Sequence, residues 1–175
     1  MVRGKEPVPP VPPPKAGYML RSAKPADRVS YSQAFQTAFD EPAPFHELMR
    51  KMVPNGFPVV EHLPTGSVVA GSTAGVFPTD QHPDGYSLQW VVAHEEHRST
   101  GSGQATIAAA TKVLAESAPR YSYLSTDDFR LAAIDIYLKL GWKPLLFRND
   151  QLQRWSKVFK NLGRRFDAKE YRAEP

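Results

Sequence analysis

The chain has 175 residues, is 41% hydrophobic and contains no cysteine, so it has apolar material for one buried core, too little length for two comfortable ones, and no thiol for disulfides, thiolate metal sites or covalent catalysis. Its formal charge of +4 is unevenly placed: residues 1–147 carry 14 basic against 14 acidic side chains, and residues 148–175 carry 8 against 4. No apolar run approaches the ~20 residues of a membrane span and the start leads into prolines rather than an apolar signal segment, so a cytoplasmic protein with no membrane partner is expected.

Residues 1–17 hold Pro7, Pro9, Pro10, Pro12, Pro13 and Pro14. Proline fixes φ and donates no hydrogen bond, so this segment is expected to be an extended, disordered tail, with the folded domain covering residues 18–147. A strand is expected over Tyr18–Ser22, then a helix opened by Pro25 and running through Phe39, then a short helix from Pro44 to Met52. Phe35, Phe39, Phe45, Leu48 and Met52 can share one apolar side. Strands at Pro58–Leu63 and Ser67–Phe77 flank the turn Pro64-Thr-Gly66, and Gly71 and Gly75 in the second strand suggest a bulge. After a loop from Pro78 to Gly85 come a strand at 87–93, a helix at 103–117, a strand at 121–126, a helix at 129–140 and a last strand from Trp142 to Phe147. In residues 148–175, Leu152, Trp155, Val158, Phe159 and Leu162 recur at helical spacing, so a basic amphipathic helix packed by its apolar stripe is expected.

The informative stretch is the loop between the strand at 87–93 and its helix. A helix N-terminus leaves backbone N–H groups unpaired and carries partial positive charge, so a loop lacking side chains can bring those donors against a diphosphate. Gly101 and Gly103 remove the side chains, and Arg98 adds a cation at the loop mouth. Arg98-x-x-Gly101-x-Gly103 after a strand resembles the acyl-CoA signature of the GNAT N-acetyltransferase superfamily. Further on, Ala133-Ile-Asp-Ile-Tyr137-Leu-Lys139-Leu-Gly141-Trp142 resembles that family's second signature. The two motifs stand in the right order and on the right elements.

The resemblance implies an α/β fold with a splayed, mixed sheet flanked by helices, in the order β-α-α-β-β-β-α-β-α-β. It implies acetyl-CoA as cosubstrate and a primary amine, on a small molecule or peptide, as the attacking partner. Val91, Val92 and Ala93 then fall on the splayed strand that aligns pantetheine, and Arg98, Ser99, Thr100, Gly101, Ser102, Gly103 and Gln104 match the diphosphate loop. Tyr137 falls at the position of the general acid, although an aromatic on an apolar stripe is by itself more often core.

Three departures stand out. Arg130 occupies a position where the family often has an asparagine that meets the cofactor, His94-Glu95 stand where a proline commonly follows the strand, and strand 87–93 contains no acid. The general base is therefore open among His94, Glu61, Asp128 and a water chain. His94 and His97 form His-x-x-His in a loop, whereas the helix-borne zinc pattern needs the histidines four apart, so no metal is expected. There is no Gly-x-Ser-x-Gly elbow. Two other readings remain: a silent acyl-CoA-binding or interaction domain with Tyr137 idle, and a nucleic-acid-associated module using the basic end. A homodimer is left open.

Overall fold

In the computed structural model, which describes residues 1–171, long hydrophobic strands form an antiparallel run. β2 (Tyr18–Ser22), β3 (Pro58–His62), β4 (Ser67–Val76) and β5 (Tyr86–Ala93) pair in sequence. Beyond β5 lie β6 (Ser122–Tyr123), parallel to it, and β1 (Val2–Arg3), antiparallel to β6, completing a six-stranded sheet in the order β1-β6-β5-β4-β3-β2. The helices are α1 (Arg28–Phe39), α2 (Phe45–Lys51), α3 (Ser102–Ser117), α4 (Leu131–Lys139) and α5 (Gln151–Asn161).

Neighbouring strand residues point to opposite faces, and the core divides accordingly. Val59 joins a cluster with Tyr31, Phe35, Phe45 and Leu48 from α1 and α2, while Val60 joins Ala105 of α3 on the other side. Alanines 105, 108 and 110 let α3 lie close to the sheet, and Ile107 and Leu114 extend its buried face to Tyr137 and Leu140 beside α4. Trp142 is fully buried there and donates its indole N–H to Thr111 Oγ1 at 3.1 Å. Gly71 faces the Tyr31 ring so closely that a Cβ would lie 2.8 Å from Cε2. One register shift falls beside Gly71, although the extra residue is on β5, where Gly71↔Val92 is followed by Thr73↔Gln89.

Two expectations are overturned. Residues 1–17 are not a disordered tail, because the anchors precede and interrupt the prolines. Val2 pairs with Tyr123 and exchanges two backbone hydrogen bonds with Lys143, at 2.9 and 2.8 Å. Arg3 is buried and donates Nε to Leu140 O at 2.8 Å, Nη1 to Gly4 O at 2.9 Å, and Nη2 to Glu6 O at 2.7 Å and Pro7 O at 3.1 Å. Proline removes donors but keeps its carbonyl, and a guanidinium with five N–H groups uses the acceptors of such a chain. Val8 and Val11 then pack on the core, and the Lys15 N–H reaches Thr100 O at 3.0 Å.

The same strand displaces the expected last strand. Among the described residues, 142–147 make one isolated bridge, Val2↔Lys143, because β1 fills the edge of β6. β6 itself is two residues long where 121–126 were expected. At the C-terminus, α5 buries Val158 and Phe159, with Phe159 against Trp155, Phe166 and Tyr171, while Leu152 stays exposed. Arg154 pairs with Asp128 and Arg164 with Asp135. Residues 172–175 of the expected basic extension lie outside the described residues.

Candidate active site

β5 and β6 pair at a single position, Ser87↔Tyr123, and then diverge. The gap is a cavity of about 270 Å³ whose walls include Gln89, Trp90 and Val91 from β5, Ser125, Thr126 and Asp127 beyond β6, and Arg130 and Tyr137 from α4 and its start. On the β5 side the extra residue leaves Trp90 and Val91 opposite Ser72 without register partners, and Trp90 takes φ 50°. A bulky residue in the left-handed region is strained. It is held by its ring, 5.2 Å from that of Phe35 and 5.3 Å from that of Phe39, and by Thr73 Oγ1, which donates to Gln89 O at 2.9 Å.

The end of β5 leads through a 3₁₀ turn at Glu95–His97 into α3. Ser99 and Gly101 both have positive φ, 61° and 81°, which folds the backbone into a concave turn before the helix. Gly101 is the N-cap and brings no capping side chain. Ser102 N–H finds Thr100 Oγ1 at 3.4 Å, while the N–H groups of Gly103 and Gln104 have no acceptor among the described residues. A Cβ on Gly103 would meet nothing nearer than Ala93 Cβ at 3.9 Å, so the helix start is open at Gly103, while Pro13 and Pro14 lie beside Gly101.

Across the gap, Tyr137 is 5% exposed, and its hydroxyl has no hydrogen-bond partner among the described residues. Burial pushes its pKa up to about 12, partly offset by the Arg130 charge, so the phenol keeps its proton at neutral pH. The strand gap thus holds an unpaired proton donor, and the start of α3 holds unpaired N–H groups.

The model of the GNAT acetyltransferase family matches residues 21–142. The chain belongs to that family. This GNAT domain is similar in fold to an acetyltransferase of Trypanosoma brucei, with a TM-score of 0.56 at 19% identity over 73% of this chain and 93% of that one. It is similar also to glucosamine-6-phosphate N-acetyltransferase of Arabidopsis thaliana, with a TM-score of 0.55 at 13% identity over 75% and 95% of the two chains. A ribosomal-protein-alanine N-acetyltransferase of Brucella melitensis gives a TM-score of 0.52 at 19% identity over 70% and 83%. No curated protein matches the chain.

Within the GNAT domain the sequence-selected residues fall in two groups. Val91 and Tyr137 both line the cavity, and Ser99 to Gln104 form the turn and first residues of α3, with Arg98 exposed at its mouth. Val92 points away, into the α1 cluster, and Ala93 packs near Ala105. The residues present fit an acyl-CoA: a strand gap for a narrow chain, a phenol proton within it, and unpaired N–H groups at the helix start.

The three side chains considered as general base stand elsewhere. Glu61 accepts from Arg21 Nε at 2.6 Å, Asp128 is paired with Arg154, and His94 faces Gln33, Gln36 and Thr37 of α1. The cavity's own carboxylate is Asp127, bound by Arg130 Nε at 3.0 Å, and Arg130 in turn lies 5.4 Å from the Phe39 ring. Sequence reasoning missed Asp127, Gln89 and Trp90. Their signal was positional, the residues just past one parallel strand and at the irregular point of the other, and no residue type marked it.

Proposed function

We propose that this protein is an N-acetyltransferase that moves an acetyl group from acetyl-CoA to a primary amine of a small molecule or peptide. The observation that carries the reading is the Tyr137 hydroxyl, protonated and unpaired, lining the gap where β5 and β6 separate. Acetyl-CoA, when bound, supplies an acetyl thioester. The N–H groups of Gly103 and Gln104, with the Ser99–Ser102 turn and Arg98, hold its diphosphate by backbone donors and the helix-end charge. The bulge frees the backbone of Val91 to orient the chain in the gap and polarise its carbonyl. Tyr137 Oη holds the proton that a departing sulfur needs. Asp127, fixed by Arg130, receives the proton of the amine at its carboxylate.

The reading is tested by measuring CoA release across a panel of amines, followed by Tyr137→Phe on the best acceptor. Removing one hydroxyl while keeping the ring is expected to lower kcat by ~10²–10⁴, the range of a lost general acid, with acetyl-CoA affinity unchanged in calorimetry. Near-parental turnover in that variant overturns the role of Tyr137. Parental acyl-CoA binding with no turnover on any amine favours a silent binding domain.

A further inference from the structure

Beside the α3 turn, on the side of β2 and β3, three histidines converge, and among the described residues none of them forms an ion pair. His94 follows β5 and His97 closes the 3₁₀ turn, and one ring nitrogen of each and one Glu96 carboxylate oxygen lie within 4.8 Å of one another. The short turn achieves what a loop reading of His-x-x-His does not foresee, bringing residues three apart to one point. A third ring comes from the end of β3, outside that group of three: the centroid of His62 is 4.8 Å from that of His97, and the centroid of His94 is 5.7 Å from that of His97. Imidazoles that share one ion at Zn–N ~2.0–2.1 Å place their ring centres roughly 5 Å apart, close to the 4.8 and 5.7 Å seen here, so small side-chain rotations bring the donors to one ion.

The outer contacts point the same way. His62 Nδ1 lies 3.0 Å from Thr65 Oγ1 and His97 Nδ1 lies 3.0 Å from Tyr18 Oη. Each partner engages Nδ1 and leaves Nε2 for an ion, the arrangement by which a hydrogen bond to one ring nitrogen orients an imidazole bound to metal through the other.

We propose that His94, Glu96 and His97, with His62 as fourth donor, form a binding site for a divalent transition-metal ion, of which Zn²⁺ best matches a four-coordinate set of imidazoles and one carboxylate. Thr100 Oγ1 donates to His97 O at 2.7 Å, so an ion here braces the turn leading into α3. None of the four donors lines the β5–β6 cavity, so metal binding is read out without acetyl transfer.

The test is calorimetric titration of the full, untagged chain with Zn²⁺ after chelator treatment, alongside the absorption spectrum with Co²⁺. One ion per chain is expected, with intense tetrahedral Co²⁺ bands. Loss of an outer-shell partner typically weakens metal binding by ~10–100-fold, so Tyr18→Phe should fall in that range and His94→Ala and His97→Ala at or beyond its upper end. Thermal unfolding in chelator checks that each variant is folded. Absence of saturable one-to-one binding, a Co²⁺ spectrum of six-coordinate type, or parental affinity in His94→Ala/His97→Ala overturns the site. Parental affinity in His62→Ala overturns the four-donor assignment.

Discussion

The two halves of the sheet are held by different physics. From β2 to β5 the strands are five to ten residues long, pair antiparallel along their lengths and bury valines on both faces. β6 and β1 have two residues each. That half is pinned by side chains reaching backbone: Arg3 to four carbonyls, and Tyr123 Oη to Phe77 O at 2.5 Å, with His82 stacked on the Tyr123 ring at 4.2 Å. The candidate site lies on the seam between them. A ladder tolerates local change because each bond is one of many, whereas a pinned edge concentrates its stability in a few residues, and the position of β6, hence the width of the gap, depends on them.

Removing residues 1–15 is the strongest way to break this comparison. The deletion takes away β1, buried Arg3 and the contacts of Val8 and Val11. Burial and lost hydrogen bonds together predict a cost of at least ~3 kcal/mol, and a fall in Tm of roughly 10 °C for a chain of this size. Thermal unfolding of the truncated chain measures it. An unchanged Tm would mean that β6 holds its place without the N-terminal segment.

The same contrast explains what was legible in the sequence. Periodicity exposes ladders and amphipathic helices, so β2 to β5, α1 to α4 and the α5 stripe could be read from spacing alone. The Arg98-x-x-Gly101-x-Gly103 turn and Tyr137 stood out because the family resemblance rests on particular residue types at fixed intervals. Arg3 was not, since one arginine before six prolines has no period, and its acceptors at Leu140 and Glu6 are fixed only by the fold. The Trp142–Phe147 run had a strand's composition, but β1 already occupied the edge it needed. Asp127 was passed over for Asp128 because two adjacent carboxylates differ only in which side of the turn each one faces.

A second test loads the regular half. Gly71→Val places a branched side chain where a single Cβ already lies 2.8 Å from the Tyr31 ring. Overpacking of this kind costs ~1–3 kcal/mol, to be measured by urea unfolding. If the ladder distributes strain as argued, the variant remains cooperative and the β5–β6 gap keeps its affinity for acetyl-CoA. A change in acetyl-CoA affinity larger than the change in stability would show that the bulge opposite Gly71 transmits the strain to the site.

Acid titration sharpens the comparison at the far edge. Asp27 is buried, which raises its carboxyl pKa, but the bidentate Arg21 contact at 2.7 and 2.8 Å, the Lys24 N–H and the charges of both outweigh burial and leave it below the usual range. A group with a depressed folded pKa gives stability that is fully present above the unfolded carboxylate value of ~3.9 and is lost as pH falls through the folded one. Asp27→Asn should therefore cost ~1–3 kcal/mol at neutral pH, with the gap between variant and parent closing below pH ~4. A gap that stays constant through acid would mean that Asp27 acts through shape rather than charge.

The smallest effect is expected where charge alone joins two elements. Arg154 of α5 reaches Asp128 at 2.9 Å and Asp150 at 3.4 Å, with all three side chains about half exposed, at 45, 48 and 57%. Solvent screens such pairs, and measured exposed bridges contribute ~0.2–1 kcal/mol. α5 is held instead by Val158 and Phe159, each 3% exposed, whose burial supplies ~1.5–3 kcal/mol apiece. Arg154→Ala should lower Tm by no more than about 2–4 °C, the shift that corresponds to 1 kcal/mol at this size, and the difference should vanish in 1 M salt, where the screening length is ~3 Å. A loss that persists at high salt would assign the contribution to the arginine's aliphatic stem lying against the domain rather than to its charge, and α5 would then be pinned by packing along its whole length.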